Sequence, residues 1–193
     1  MGYNENQQFI DFGVPQTSAM SNSFDQRDIY VENDFFWSAH SQGMYFNSTG
    51  MNDGYGYING SYVYTIFDTG SSGIILSSDY YDQIVTKLMT DYIGTQNYVI
   101  KEGVTYSVCI PPSQLPSLYF IFNELLIEVR GEDYMADISP KGDMSLCQLL
   151  LFKNTMAFNL FGTPLFRGYY VTHDTVNAKM QFVPVPNSPK KRL

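Results

Sequence analysis

Asp68, Thr69, Gly70, Ser71 and Ser72 follow the run Tyr62 to Phe67, a stretch of strand-forming residues that delivers the aspartate at its end. Gly70 permits a tight reversal, and the two serines supply hydroxyls. A carboxylate held at a strand end by backbone N–H groups and a hydroxyl is placed to act as a catalytic group. By itself an Asp-Thr-Gly tripeptide is equally a plain turn. The setting sharpens it, because the apolar run Gly73-Ile-Ile-Leu behind it leads into a helix.

Other residues with chemistry in them are less well placed. His40 and His173 are far apart and have no cysteine or carboxylate at metal-ligand spacing, so no metal site and no cofactor is expected. The stretch from Gly70 to Gly73 lacks the Gly-x-Ser-x-Gly pattern of a serine hydrolase, and no His–acid partner arrangement accompanies it. Cys109 and Cys147 could form a bridge or be two buried thiols. Asn47 and Asn59 each begin a glycosylation sequon, a pattern short enough to arise by coincidence. The aromatic clusters Asp34-Phe-Phe-Trp37 and Arg167-Gly-Tyr-Tyr170 are expected to pack on sheet faces.

These residues need elements to position them. Turn signals recur about every eight to twelve residues, at Ser41-Gln-Gly43, Asn47 to Gly54, Ile58-Asn-Gly-Ser61, Phe122-Asn-Glu124, Arg130 to Asp133 and Val176 to Lys179, among others. Between them lie short Tyr-, Phe-, Val- and Ile-rich runs: Tyr62 to Phe67, Leu118 to Phe122, Leu125 to Val129, Tyr169 to Thr172 and Lys179 to Val183. That is the spacing of an all-β domain. One segment departs from it. Ser77 or Ser78 can cap a helix over about 78–93, Asp79 and Asp82 suit its first turn, and Ile84, Val85, Leu88, Met89 and Tyr92 recur at helical spacing before Gly94. A short helix over 163–167 is expected from Thr163 as cap and Pro164 at the first helical position.

The 193 residues suffice for one generous domain. The net charge is −8, and three of the basic side chains sit together in the terminal Pro189-Lys-Lys-Arg-Leu193, which speaks against a nucleic-acid partner. Few lysines and many neutral polar residues suit work at acidic pH. No run reaches the length of a membrane span, and the first residues lack the layout of a signal peptide.

The segment around Asp68 resembles the active-site loop of pepsin-like aspartic proteases, and the likeness extends along the chain. Phe158 to Val185 is similar to that family's C-terminal signature: two apolar residues and a glycine, a short helix, a Tyr-Tyr strand, an aspartate, a small-residue turn and a final strand. Leu115 to Val129 resembles the hairpin before it, and Phe9 to Gln16 the strand near the lobe boundary. Order and spacing match the C-terminal lobe of that family over residues 8–186, flanked by a disordered segment 1–7 and a basic tail 187–193. No tryptophan follows the motif as it usually does in the N-terminal lobe, and Ser71 stands where threonine is common.

The resemblance implies an aspartic endopeptidase. Such enzymes are the standard example of two carboxylates that share one proton because both cannot ionise together. The ionised one takes a proton from the attacking water, and the protonated one donates to the peptide carbonyl. Asp68 would be one of the pair. Gly70 would offer its N–H to the carboxylate, Ser71 its hydroxyl, and Thr69 would bond to the matching threonine of the other lobe. Leu160, Phe161 and Gly162 would support the loop from below. The resemblance also implies a Cys109–Cys147 disulfide, an oxidising compartment, and residence in the secretory pathway, a lysosome or vacuole, or outside the cell.

No second Asp-Thr-Gly or Asp-Ser-Gly occurs; Asp174-Thr-Val matches the family's surface turn instead. The expected partners are therefore a peptide or protein substrate and a missing N-terminal lobe, from the same gene or a separate chain. The start near the lobe boundary and the lack of a signal peptide favour that reading. Two alternatives are a second copy of the chain giving its own Asp68, as in retroviral-type proteases, and a non-catalytic remnant that binds peptides or proteins. Without its other half the cleft wall and Phe9 to Gly13 would be exposed and apolar.

Overall fold

The computed structural model describes residues 27–31, 35–46, 57–123, 125–140 and 145–184, with only the backbone described at 27 and 59–61. The flanking segments 1–7 and 187–193, the strand expected at Phe9 to Gly13 and the sequon at Asn47 lie outside the described residues. In chain order the elements are β1 (Arg27–Tyr30), β2 (Ser38–Phe46), β3 (Tyr57–Phe67), β4 (Ile74–Ser77), α1 (Ser78–Leu88), β5 (Tyr98–Lys101), β6 (Val104–Ser107), β7 (Leu118–Phe122) and β8 (Leu125–Val129). There follow α2 (Gly131–Tyr134), β9 (Met135–Asp137), β10 (Cys147–Leu149), β11 (Leu151–Asn154), β12 (Phe158–Phe161), α3 (Thr163–Phe166), β13 (Tyr169–Asp174) and β14 (Lys179–Pro184).

The strands form a seven-stranded sheet ordered β11-β4-β12-β3-β2-β7-β8, a four-stranded sheet β5-β6-β10-β9 and a three-stranded sheet β1-β14-β13. In the large sheet β12 inserts between β3, to which it runs parallel, and β4, to which it runs antiparallel. Apolar alternation sets which face turns inward. Phe67, Phe120, Phe122 and Phe161 meet there with Phe182 of β14. The Phe120–Phe161 centroids lie 4.6 Å apart and the Phe67–Phe182 centroids 5.5 Å apart. Each such buried ring contributes about 1.5–3 kcal/mol of burial, and Phe182 ties the three-stranded sheet to the large one.

The all-β architecture and the hairpin β7–β8 match the sequence expectation residue for residue at Leu118–Phe122 and Leu125–Val129. The tight turns at Asn123 (φ 44°) and Ala178 (φ 50°) lie where turn signals were read. Two other turn signals do not turn. Ser41-Gln-Gly43 lies inside β2 and Ile58 to Ser61 inside β3, facing each other across a register irregularity in which Tyr62 takes φ 35°. Flexible residues on both strands there make a bulge rather than a reversal.

The helix expected over 78–93 is α-helical to Leu88 and then widens to a π turn over Met89–Ile93, ending at Gly94 with φ 90°. Tyr80, Tyr81, Ile84, Val85 and Leu88 are buried. Ser77 occupies the cap position without a side-chain cap bond; Ser78 Oγ instead donates to the Asn154 carbonyl at 2.9 Å. Asp82 lies past the first turn and pairs with Lys153. At α3 the cap is Gly162, not Thr163, whose hydroxyl is used elsewhere. The aromatic clusters divide: Tyr169 packs edge-on against Phe182 and Trp37 against His173, whereas Phe35 and Phe36 are 89% and 53% exposed.

Cys109 and Cys147 form a disulfide with Cα atoms 4.9 Å apart. It joins the chain just beyond β6 to its neighbour β10, with the β7–β8 hairpin between them in sequence.

Candidate active site

Asp68 stands immediately after β3, and its backbone is fixed from both sides. Its N–H donates to the Phe161 carbonyl of β12 at 2.9 Å, and the preceding Phe67 N–H donates to the Trp37 carbonyl, just before β2, at 2.8 Å. The chain then reverses, with the Ser71 N–H returning to the Asp68 carbonyl at 3.2 Å. The carboxylate turns into this loop. Gly70 N–H donates to Oδ1 at 2.9 Å and Ser71 Oγ–H to Oδ2 at 2.7 Å, one donor for each oxygen. Hydrogen bonds to an ionised acceptor are short and strong, so the carboxylate has little rotational freedom.

A second set of bonds holds the loop itself. The Ser71 carbonyl accepts both the N–H of Thr163, at 2.8 Å, and its hydroxyl, at 2.9 Å. Gly162 N–H donates to the Gly73 carbonyl at 3.1 Å. A methyl group on Gly162 would collide with the Ser71 and Gly73 carbonyl oxygens, so the end of β12 approaches this closely only because residue 162 has no side chain. Gly73 is confined in the same way by the Phe152 ring.

The exposed side of the site follows from strand alternation. Phe67 is buried, so Asp68 belongs to the opposite face, with Ile66. Leu160 lies beside Ile66 in register and Ile75 beside Leu160; all three are half-buried. A partly exposed apolar row thus runs across β3, β12 and β4 beneath a half-buried carboxylate, while Thr69, Gly70 and Ser72 are exposed at the rim.

Among the described residues no second carboxylate is hydrogen-bonded to Asp68. Asp174 is committed to its own turn, where bonds from the Asn177 side chain and backbone, and from the Val176 N–H, hold its carboxyl below the usual range. His40 packs near Tyr64, with centroids 5.6 Å apart. His173 lies edge-on to Trp37, with centroids 4.7 Å apart, and desolvation on that side pushes its imidazole below the usual value. Cys109, Asp137 and Cys147 bring their ligand atoms within 4.8 Å of one another, but both sulfurs are consumed by the disulfide and offer no thiolate. The Asn59 side chain is not described; its backbone lies in β3 opposite Gly43.

Residues 2–185 match the family described as eukaryotic aspartyl protease. The chain belongs to that family. Comparison with curated proteins finds no match. As a member of that family the molecule has the all-β architecture of a single pepsin-like lobe, with β12 threaded between the strands on either side of the Asp68 loop. Members of the family are typically secreted or lysosomal, and no helix among the described residues is long and apolar enough to cross a membrane.

Of the residues singled out in the sequence, Asp68, Gly70, Ser71, Leu160, Phe161 and Gly162 come together here, and Thr69 sits exposed at the tip. Thr163 had been read only as a helix cap. Its proximity to Ser71 is a long-range contact set by the insertion of β12, and local periodicity carries no trace of it.

Proposed function

We propose that the chain is the C-terminal lobe of an aspartic endopeptidase and supplies Asp68 as one of two catalytic carboxylates. The observation that carries this reading is a strand-end aspartate whose two oxygens each receive one donor from its own loop, in a chain of the aspartyl protease family. In the assembled enzyme the ionised carboxylate of the pair takes a proton from water as the water oxygen bonds to the peptide carbonyl carbon. The protonated partner donates to the carbonyl oxygen. The C–N bond then breaks, and the departing amine takes up a proton from the pair.

The loop bonds supply orientation, so the carboxylate need not reorganise during the reaction. Thr69, exposed at the tip, would contact the matching threonine of the second lobe, and the row Ile66, Leu160 and Ile75 would form part of the floor under the substrate. The disulfide suits an oxidising compartment: the secretory pathway, a lysosome or vacuole, or the extracellular space.

Sedimentation joined to a peptidase assay tests this. The chain alone is expected to be monomeric and inactive, and to cleave peptides once combined with a lobe bearing a second Asp-Thr-Gly. An active dimer of the chain alone would replace the missing lobe with a second copy. Tight peptide binding without cleavage in the two-lobe assembly would favour a non-catalytic remnant.

A further inference from the structure

β12 carries a side chain at odds with its surroundings. Asn159 is fully buried on the same core-facing side as Phe161, and the residue beside it in register, Thr65 of β3, is fully buried as well. The adjacent layer is Phe67 beside Phe161, so an aromatic pair gives way to a polar one two residues further from the Asp68 loop. The Asn159 Oδ1 accepts the Ser77 N–H at 2.8 Å. Its Nδ2 donates to Thr65 Oγ1 at 3.5 Å, and that hydroxyl donates to the Val63 carbonyl at 3.1 Å.

The need for this amide follows from where β4 ends. N–H groups alternate sides along a strand, and Ile74 N–H goes to Leu150, on the β11 side, so Ser77 N–H points toward β12. The β4–β12 register pairs Ile74 with Phe161 and Ile75 with Leu160 and goes no further. Ser77 is the last residue of β4, α1 begins at the next, and its N–H finds its acceptor in the Asn159 side chain. An apolar residue at 159 would leave that donor buried and unpaired.

The loop from Asp68 to Gly73 spans the gap between β3 and β4. At one level Phe161 at the end of β12, with Gly162 and Thr163 that follow it, grips the loop; at the next, Asn159 reaches β3 and β4 together. We propose that Asn159 is a positioning residue for Asp68, fixing β3 and β4 against β12 and so setting the span of the loop that holds the carboxylate. Its functional meaning rests on the reading of Asp68 given above, whereas its test does not depend on hydrolysis.

Amide hydrogen exchange, read residue by residue in the chain and compared at equal pH with the unmutated form, provides that test. In Asn159→Leu, exchange at Gly70, Ser71 and Thr163 is expected to rise about tenfold or more while Phe120 and Ile127 in β7 and β8 keep their protection. In Asn159→Asp the buried carboxyl is raised by desolvation, so at about pH 4 it is neutral and can replace the amide as acceptor and donor. Loop exchange in that variant should match the unmutated chain at about pH 4 and exceed it at about pH 8. Unchanged loop exchange in Asn159→Leu, or an equal rise in β7 and β8, would overturn the proposal. If the leucine variant does not fold, loop exchange in Asn159→Asp that is indifferent to pH overturns it alone. Correct exchange behaviour in a two-lobe assembly that fails to cleave peptides would count against the catalytic reading and leave the positioning geometry standing.

Discussion

Asp68 differs from a carboxylate in an ordinary surface turn in what its loop is tied to. Asp174 has a comparable set of donors, from Val176 and Asn177, yet its turn joins β13 to β14 and is held from outside the hairpin by one bond, from the Val31 N–H to the Ala178 carbonyl at 2.8 Å. The Asp68 loop is gripped at three successive residues, Phe161 at the end of β12 and Gly162 and Thr163 after it. Replacing Asp68 by asparagine should therefore lower peptide hydrolysis in the two-lobe enzyme by about 10⁴-fold. Ser71→Ala removes the 2.7 Å bond and should cost about tenfold in rate, whereas Ser71→Thr should retain most of it. Gly162→Ala tests the close approach of β12: collision with two carbonyl oxygens should destabilise the fold by about 1–3 kcal/mol, read from urea unfolding. His173 gives a pH signature. Its folded value lies below the ordinary 6.5, so its contribution to stability is complete above 6.5 and is lost as pH falls through the lower folded value. Trp37 is the sole tryptophan in the chain and touches that ring, so its fluorescence should change in this window in the unmutated chain and not in His173→Phe.

Elements were legible in proportion to how local their causes are. The hairpin β7–β8 and helix α1 announce themselves through alternation and helical spacing, and both lie where the residues put them up to the π turn after Leu88. Ser41 to Gly43 and Ile58 to Ser61 carry turn composition but sit opposite each other, and the same glycines that permit a reversal permit a bulge when a partner strand is present. The insertion of β12 between β3 and β4 was out of reach of local patterning, since Thr163, Gly162 and Asn159 act on residues more than eighty positions away. What placed Leu160, Phe161 and Gly162 under the aspartate was likeness to a family. The disulfide is likewise a long-range constraint, closing a separation of 38 residues between β6 and β10. By loop-closure entropy its loss should cost about 4 kcal/mol, and Cys109→Ser with Cys147→Ser, unfolded in urea beside the parent, measures that.

At the scale of the molecule the candidate site is one-sided. Both carboxylate oxygens have a donor, Thr69 is exposed at the rim, and Phe35 and Phe36 lie exposed two and one residues before the Trp37 carbonyl that anchors β3. The net charge of −8 favours solubility near neutral pH, and that contribution weakens as carboxylates protonate. Under the proposed function the second carboxylate arrives on a partner lobe. The direct measurement is the initial rate of peptide cleavage at about pH 4 by this chain joined to a lobe carrying a second Asp-Thr-Gly, with Asp68 intact and with Asp68→Asn. Cleavage that is present in the first and abolished in the second, with sedimentation unchanged, is the predicted result. Cleavage that persists in Asp68→Asn would contradict the assignment of Asp68 to the catalytic pair.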